Sequence, residues 1–319
     1  MNLTKISLAL AAALSLAACQ TAPQPEQPFY TLVDLSDDFV AFYDRTIDMA
    51  PAARAAAFRA ELNAKMPGFY DPARFDTATP EQYDARIIRA FEDFPALRER
   101  YLATTASFES AMAPARESFL ATFPDASPVG DIYFVHSLGE MDGGTREIDG
   151  RVYLIFGADV MARVHEPGQT TPFFHHELFH FYHEPYFHGC SAFWCALWGE
   201  GLATYVAQEL NPGASDHALL LNIPRPIRPE VDANLAYAVC ETRARLDSES
   251  QDDYRAFFMG AGALERLPPR AGYYIGLLVA QEVGRTHTLQ QLAHLSPAEA
   301  RPLVEAALGA LATCPPAAN

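Results

Sequence analysis

The sequence predicts a helix-rich α+β protein. Capped amphipathic stretches fill most of the first 125 residues, β-branched and aromatic segments broken by glycines follow, and helical patterns return after residue 200. No internal repeat is visible. Half of the 319 residues are hydrophobic, so the chain can bury a large core.

Residues 1–18 read as a targeting segment rather than as structure. Lys5 supplies positive charge, residues 6–13 form an apolar stretch, and Leu16-Ala17-Ala18-Cys19 reads as a lipobox. Such sequences resemble bacterial lipoprotein precursors cleaved before the cysteine, which makes Cys19 the expected lipidation site. The apolar stretch is too short to span a bilayer, and no later run approaches the length needed. An anchored protein of the bacterial cell envelope is therefore expected. Gln20 after the cysteine, in place of Asp, points to the outer membrane of a Gram-negative cell, facing the periplasm or the cell surface. Residues 19–30, rich in proline, are expected to form a tether.

Residues 31–125 are expected to form a helical region. Ser36 is read as the cap of a helix over 37–49, and a second helix covers 51–65. Thr79-Pro80 opens another, and residues 95–123 form a long one that Pro114 kinks. Residues 126–210 form the expected core. Residues 131–137 and 151–156 are strand-like, either a hairpin or two neighbouring strands, with Gly139, Gly143, Gly144 and Gly150 between them. Thr171-Pro172 is read as N-cap and first turn of a helix over 172–184 that Pro185 stops. Residues 211–319 return to helix at 232–246, at 272–284 and after the capping box Ser296-Pro297-Ala298-Glu299.

The formal charge of −17 argues against nucleic acid and against docking on anionic lipid through a basic patch. Membrane attachment would come from acyl chains alone. Beyond Cys19 there are four cysteines, and in an exported protein an even count suggests disulfides. Of the three possible connectivities, Cys190 with Cys195 and Cys240 with Cys314 is expected. The first pair would staple the loop that follows the helix at 172–184.

The residues with the most chemical content are His176-Glu177-Leu178-Phe179-His180, an H-E-x-x-H motif. Residues four apart share a helical face, so His176 and His180 can reach one metal ion. Glu177 points a little around the cylinder, where it can act as general base without being a ligand. A catalytic zinc keeps three protein ligands and one open position, so the third ligand decides the class. The metzincin continuation fails, because His183 stands at its Gly position and Tyr186 at its final His position. Glu200, in Trp198-Gly199-Glu200-Gly201-Leu202-Ala203-Thr204-Tyr205, is the expected third ligand, with small neighbours that would let its helix pack closely on the first. His183 and His188 are the competing ligands on geometry.

This arrangement resembles the gluzincins, the thermolysin-like peptidases with two His and one Glu on a single Zn²⁺. The wording W-x-E-G-x-A-x-Y is most similar to bacterial predicted zinc-dependent proteases. The similarity covers residues 175–205, with a weaker match at Gly272-Tyr273-Tyr274-Ile275-Gly276. It implies a zincin-like core, an edge strand that pairs with substrate backbone, and a Tyr or His that stabilises the oxyanion, for which Tyr273 and Tyr274 are the candidates. Thr204 departs from the family's Asp one turn after the glutamate, so the partner that orients a ligand histidine is open. Glu140-Met141-Asp142 faintly resembles an aminopeptidase motif, but Gly143-Gly144 departs from it. The expected function is hydrolysis of a peptide or protein substrate. The alternative is a non-proteolytic envelope lipoprotein that uses the zinc site for structure, metal capture or assembly.

Overall fold

In a computed structural model, residues 28–75, 78–260 and 264–315 are described. The targeting segment, Cys19 and most of the expected tether lie outside them. The chain is helix-rich with one small mixed sheet, an α+β arrangement as expected.

A strand comes first. β1 (Tyr30–Asp34) begins at the last residue assigned to the tether. It pairs in parallel with β2 (Gly130–Val135), register Leu32 to Ile132, so the N-terminal region shares its sheet with the core. So short a segment, with one buried residue, has no readable alternation of its own. α1 (Ser36–Arg45) follows, and Ser36 is its first residue rather than its cap. The Asp34 carboxylate instead accepts the Ser36 N–H at 2.8 Å. α2 is Pro51–Lys65, with the bounds expected.

α3 runs unbroken over 43 residues, Pro80–Thr122, so Pro95 does not begin a new helix. Thr79 and Gln82 form a reciprocal capping box at its start. An interior proline costs a helix about 3 kcal/mol. Here a buried stripe continues on both sides of Pro95 and Pro114, through Tyr83, Ile87, Phe91, Phe94, Tyr101, Phe108, Met112 and Phe119. At roughly 1.5–3 kcal/mol for each large apolar side chain buried, that stripe outweighs two prolines.

β3 (Gly143–Ile148) and β4 (Arg151–Gly157) complete the sheet in the order β1-β2-β4-β3. β2 and β4, the two segments expected as strands, are parallel neighbours. The hairpin is β3 with β4, antiparallel. β3 was not foreseen because Gly143-Gly144-Thr145-Arg146-Glu147 is polar and glycine-rich, and only its pairing with β4 makes it a strand. β3 and β1 are the two sheet edges, so neither expected strand is one.

α4 (Ala158–Val164), α5 (Thr171–His183) and α6 (Phe193–Leu210) follow. Thr170, not Thr171, is the N-cap of α5, and its side chain makes no capping bond. Phe108 of α3 stacks on Phe134 of β2 at 3.9 Å, and Phe174 of α5 meets Phe156 of β4 at 5.4 Å. Phe134 and Phe156 are register partners, so α3 and α5 share one face of the sheet.

The C-terminal part holds α7 (Arg228–Ala233), α8 (Leu235–Arg243), α9 (Gln251–Phe258), α10 (Ala271–Gly284), α11 (Leu289–Ala293) and α12 (Pro297–Leu311). The helix expected over 232–246 is broken at Asn234, whose backbone is non-helical. The capping box before α12 forms as read. Both expected disulfides are present, Cys190 with Cys195 and Cys240 with Cys314. Among the described residues no helix is long and apolar enough to cross a membrane.

Candidate metal centre

α5 and α6 lie side by side, tied by the short loop that Cys190–Cys195 closes. His176 and His180, one turn apart on α5, face Glu200 on α6. The two imidazole Nε2 atoms are 2.9 Å apart, and Glu200 Oε2 is 3.3 Å from each. Ligand atoms about 2.0–2.1 Å from a tetrahedral ion stand roughly 3.3 Å from one another, so the three atoms are spaced as such an ion requires. This trio can hold a metal ion, and it is the one such group found among the described residues.

The electrostatics follow from burial and mutual contact. Burial alone would lower His180, but the Glu200 carboxylate outweighs it by charge and hydrogen bond and takes the imidazole up to about 9. For His176 burial wins, and its pKa is lowered. Burial works against the Glu200 carboxylate too, yet His180 and His176 hold it well below the usual range. Glu177 has no such partner, and burial pushes it up to about 8.

The trio lies in a cleft of about 580 Å³ lined also by Glu177, Tyr273, Tyr254, Arg146 and Arg270. One wall is β3. A Cβ on Gly143 would lie 2.6 Å from Phe173 Cζ and 2.9 Å from Glu177 Cγ, so only glycine lets the edge strand approach the metal helix this closely. The loop before β3 is pinned by Asp159, whose carboxylate accepts the N–H groups of Ser137 and Gly139 at 2.6 Å each. Glu140 is held by Arg74 and Arg146. Asp142 bonds His165 at 2.9 Å.

The two candidate tyrosines separate. Tyr273 lines the cleft with its ring 6.3 Å from that of His176, and burial raises its hydroxyl well above the usual phenol range. Tyr274, the next residue along α10, is turned away from the cleft and donates its hydroxyl to Asp232 at 2.9 Å.

The spare histidines are accounted for as well. His175 spans α3 and the end of α6: Asn211 donates to its Nδ1 at 2.7 Å and Nε2 faces Ala115 O at 3.0 Å. His183 donates from Nδ1 to Ala293 O at 2.7 Å, its ring stacked between Phe179 and Phe187. His188 is exposed beside Pro185 O. Neither His183 nor His188 joins the metal trio. Thr204 does not orient a histidine; its hydroxyl donates to Glu200 O at 2.7 Å.

The small residues around Glu200 have another role than the one expected. Gly199 has open space at its Cβ position, whereas a Cβ on Gly201 would sit 2.2 Å from the Gly276 carbonyl carbon. The close packing is thus of α6 on α10, not of α6 on α5. Arg270, Tyr254 and the Asp142–His165 pair were not foreseen, since an isolated Arg, Tyr or Asp carries no spacing signal. Comparison with protein-family models, with curated proteins and with solved structures returns no match to this chain.

Proposed function

We propose that the chain is a zinc-dependent peptidase of the gluzincin type, held in the bacterial envelope by lipid on Cys19. The convergence of two imidazoles and one carboxylate at the floor of a cleft, with a buried non-ligand carboxylate beside them, carries this reading. The nitrogen and oxygen donor set suits zinc, and three protein ligands leave a position open, as catalytic sites do. A zinc ion there would supply Lewis-acid polarisation of a scissile carbonyl and bring the pKa of a water toward about 7.

The protein's own groups do the rest. Glu177, which burial pushes up to about 8 in the metal-free site, accepts the proton of the attacking water and delivers it to the leaving amine. Tyr273 keeps its proton and donates to the developing oxyanion. The free edge of β3 offers main-chain groups to an extended peptide lying against α5. On this reading the sheet, its edge strand, α5 and α6 make up the zincin-like core. The test is digestion of a peptide library by the mature protein, with and without chelator, followed by mass spectrometry of the new termini. Chelator-sensitive cleavage is expected; its absence would favour a non-catalytic role for the metal site.

A further inference from the structure

The cleft holds two arginines in a chain of formal charge −17. Arg146 is already ion-paired, its Nε donating to Glu140 at 2.9 Å, a carboxylate it shares with Arg74. Arg270 forms no ion pair among the described residues. Its Nη1 donates to two backbone carbonyls, Leu220 at 3.2 Å and Ile223 at 3.5 Å, and its other side-chain neighbour is the Tyr273 hydroxyl. A half-buried guanidinium that is ion-paired with no carboxylate among the described residues is completed by a planar anion, which it can bind through two parallel hydrogen bonds.

Its position gives that anion a place in the reaction. The Arg270 guanidinium carbon lies 4.4 Å from the centre of the Tyr273 ring, and that ring lies 6.3 Å from the His176 ring. One aromatic ring therefore separates the cation from the metal trio. The gap is at most about three extended residues, at about 3.3–3.6 Å per residue. The nearby carboxylates have other direct partners: Asp142, which also feels the Arg270 charge, bonds His165, Glu140 pairs with Arg74 and Arg146, and Glu200 with the two histidines.

We propose that Arg270 determines specificity by binding a substrate carboxylate within three residues of the scissile bond. The carboxylate is either the free C-terminus of a short peptide or an Asp or Glu side chain. This rests on the peptidase reading and adds a substrate class to it.

The test uses an N-acetylated peptide library made as C-terminal acids and as C-terminal amides, in which half of the members carry one Asp or Glu. Cleavage is followed with wild type, Arg270→Gln and Arg270→Lys. Retention is followed by equilibrium dialysis against Glu177→Gln with and without Arg270→Gln, and zinc content and melting are recorded for every variant. Wild type is expected to cleave within three residues of a carboxylate. Arg270→Gln should lower that preference by about 10- to 100-fold, the worth of a charge-assisted hydrogen bond, and Arg270→Lys should lower it less. Preference for acids over amides assigns the C-terminus as the source, and preference for Asp and Glu members among the amides assigns the side chain. Equal handling of acidic and neutral members, or a preference that survives Arg270→Gln, overturns the proposal. If nothing is cleaved but Glu177→Gln still retains acidic members through Arg270, the anion site stands and the peptidase reading falls.

Discussion

Gly201 and Gly276 pack backbone to backbone where α6 crosses α10: a Cβ on either would lie 2.2–2.4 Å from backbone atoms of the facing helix. Gly201 follows the metal-site residue Glu200, and Gly276 stands three residues after Tyr273, so this crossing sets the distance between the carboxylate and the tyrosine. Backbone cannot swing aside as a flexible side chain can. Gly201→Ala and Gly276→Ala should each destabilise by about 1–3 kcal/mol or more through overpacking, read from urea or thermal melts. Gly199→Ala, with open space at its Cβ position, should melt like wild type.

Metal content tests the ligand set. About one zinc per chain is expected, lost or greatly weakened in His176→Ala, His180→Ala and Glu200→Ala. His183→Ala and His188→Ala should keep the metal, because the first imidazole is committed to Ala293 and the second is exposed beside Pro185. Elemental analysis of the purified variants decides it; loss in His183→Ala with retention in Glu200→Ala would reverse the assignment.

Glu177→Gln is nearly isosteric and outside the ligand trio. Zinc content should be unchanged while peptide cleavage falls by about 10² to 10⁴, the usual worth of a general base. Tyr273→Phe should lower kcat by roughly 10² with little change in KM. Tyr274→Phe, which removes bonds to Asp232 and Arg228 outside the cleft, should leave kcat as it was.

Acid should destabilise the fold through two buried neutral histidines. Burial lowers His175 and His183 from the ordinary 6.5 to about 4 in the folded state. Between about pH 4 and 6.5 the unfolded chain takes up protons that these two refuse, so their stabilising contribution is complete above 6.5 and is lost as pH falls toward 4. Each contributes up to about 1.4 kcal/mol per pH unit across that window. His180 has the opposite sign in metal-free protein: raised to about 9, it stabilises below 6.5 and loses that contribution as pH rises through 9. Urea midpoints of metal-free protein from pH 4 to 9 should therefore rise and then fall. A flat acid limb would mean that the two histidines are not held neutral.

The two disulfides should differ in worth. Cys190–Cys195 closes a loop of sequence separation 5, and Cys240–Cys314 one of separation 74. In the chain-entropy account, removing the first by paired Ser substitution costs about 2 kcal/mol and the second about 4.5 kcal/mol. Comparable losses in chemical denaturation would show that the short bridge acts by holding the loop between α5 and α6 in place.

The chemistry of the site was legible because it is written at fixed spacing. His176, Glu177 and His180 are local to one helix, and a helix repeats the same geometry wherever it occurs. Capped helix starts at Thr79 and Ser296 were legible for the same reason, since the Thr79-Pro80 pair and the capping box from Ser296 to Glu299 are both local signals. Pro95 misled because a proline signals a boundary locally, whereas the continuous buried stripe that carries α3 through it is fixed only by packing against the sheet and the neighbouring helices.

Tertiary structure decided what depends on partners distant in the chain. β3 is a strand because β4 pairs with it, and β1 because β2, about one hundred residues on, lies beside it. Tyr273 and Tyr274 are equivalent as letters; the rotation of α10, set where Gly276 meets Gly201, turns the first into the cleft and the second to Asp232. Arg270 carries no motif, and its charge becomes meaningful only once the fold brings it beside Tyr273, ion-paired with no carboxylate among the described residues. The sequence by itself determined the α+β class and the helix of the H-E-x-x-H motif, and narrowed the third ligand and the cysteine pairing to a few choices, because these rest on local periodicity and on a short list of residue types able to do the chemistry. Edge strand, choice of tyrosine and the placing of Arg270 in the cleft came from packing, because which way a side chain faces is a property of the neighbours it is packed against.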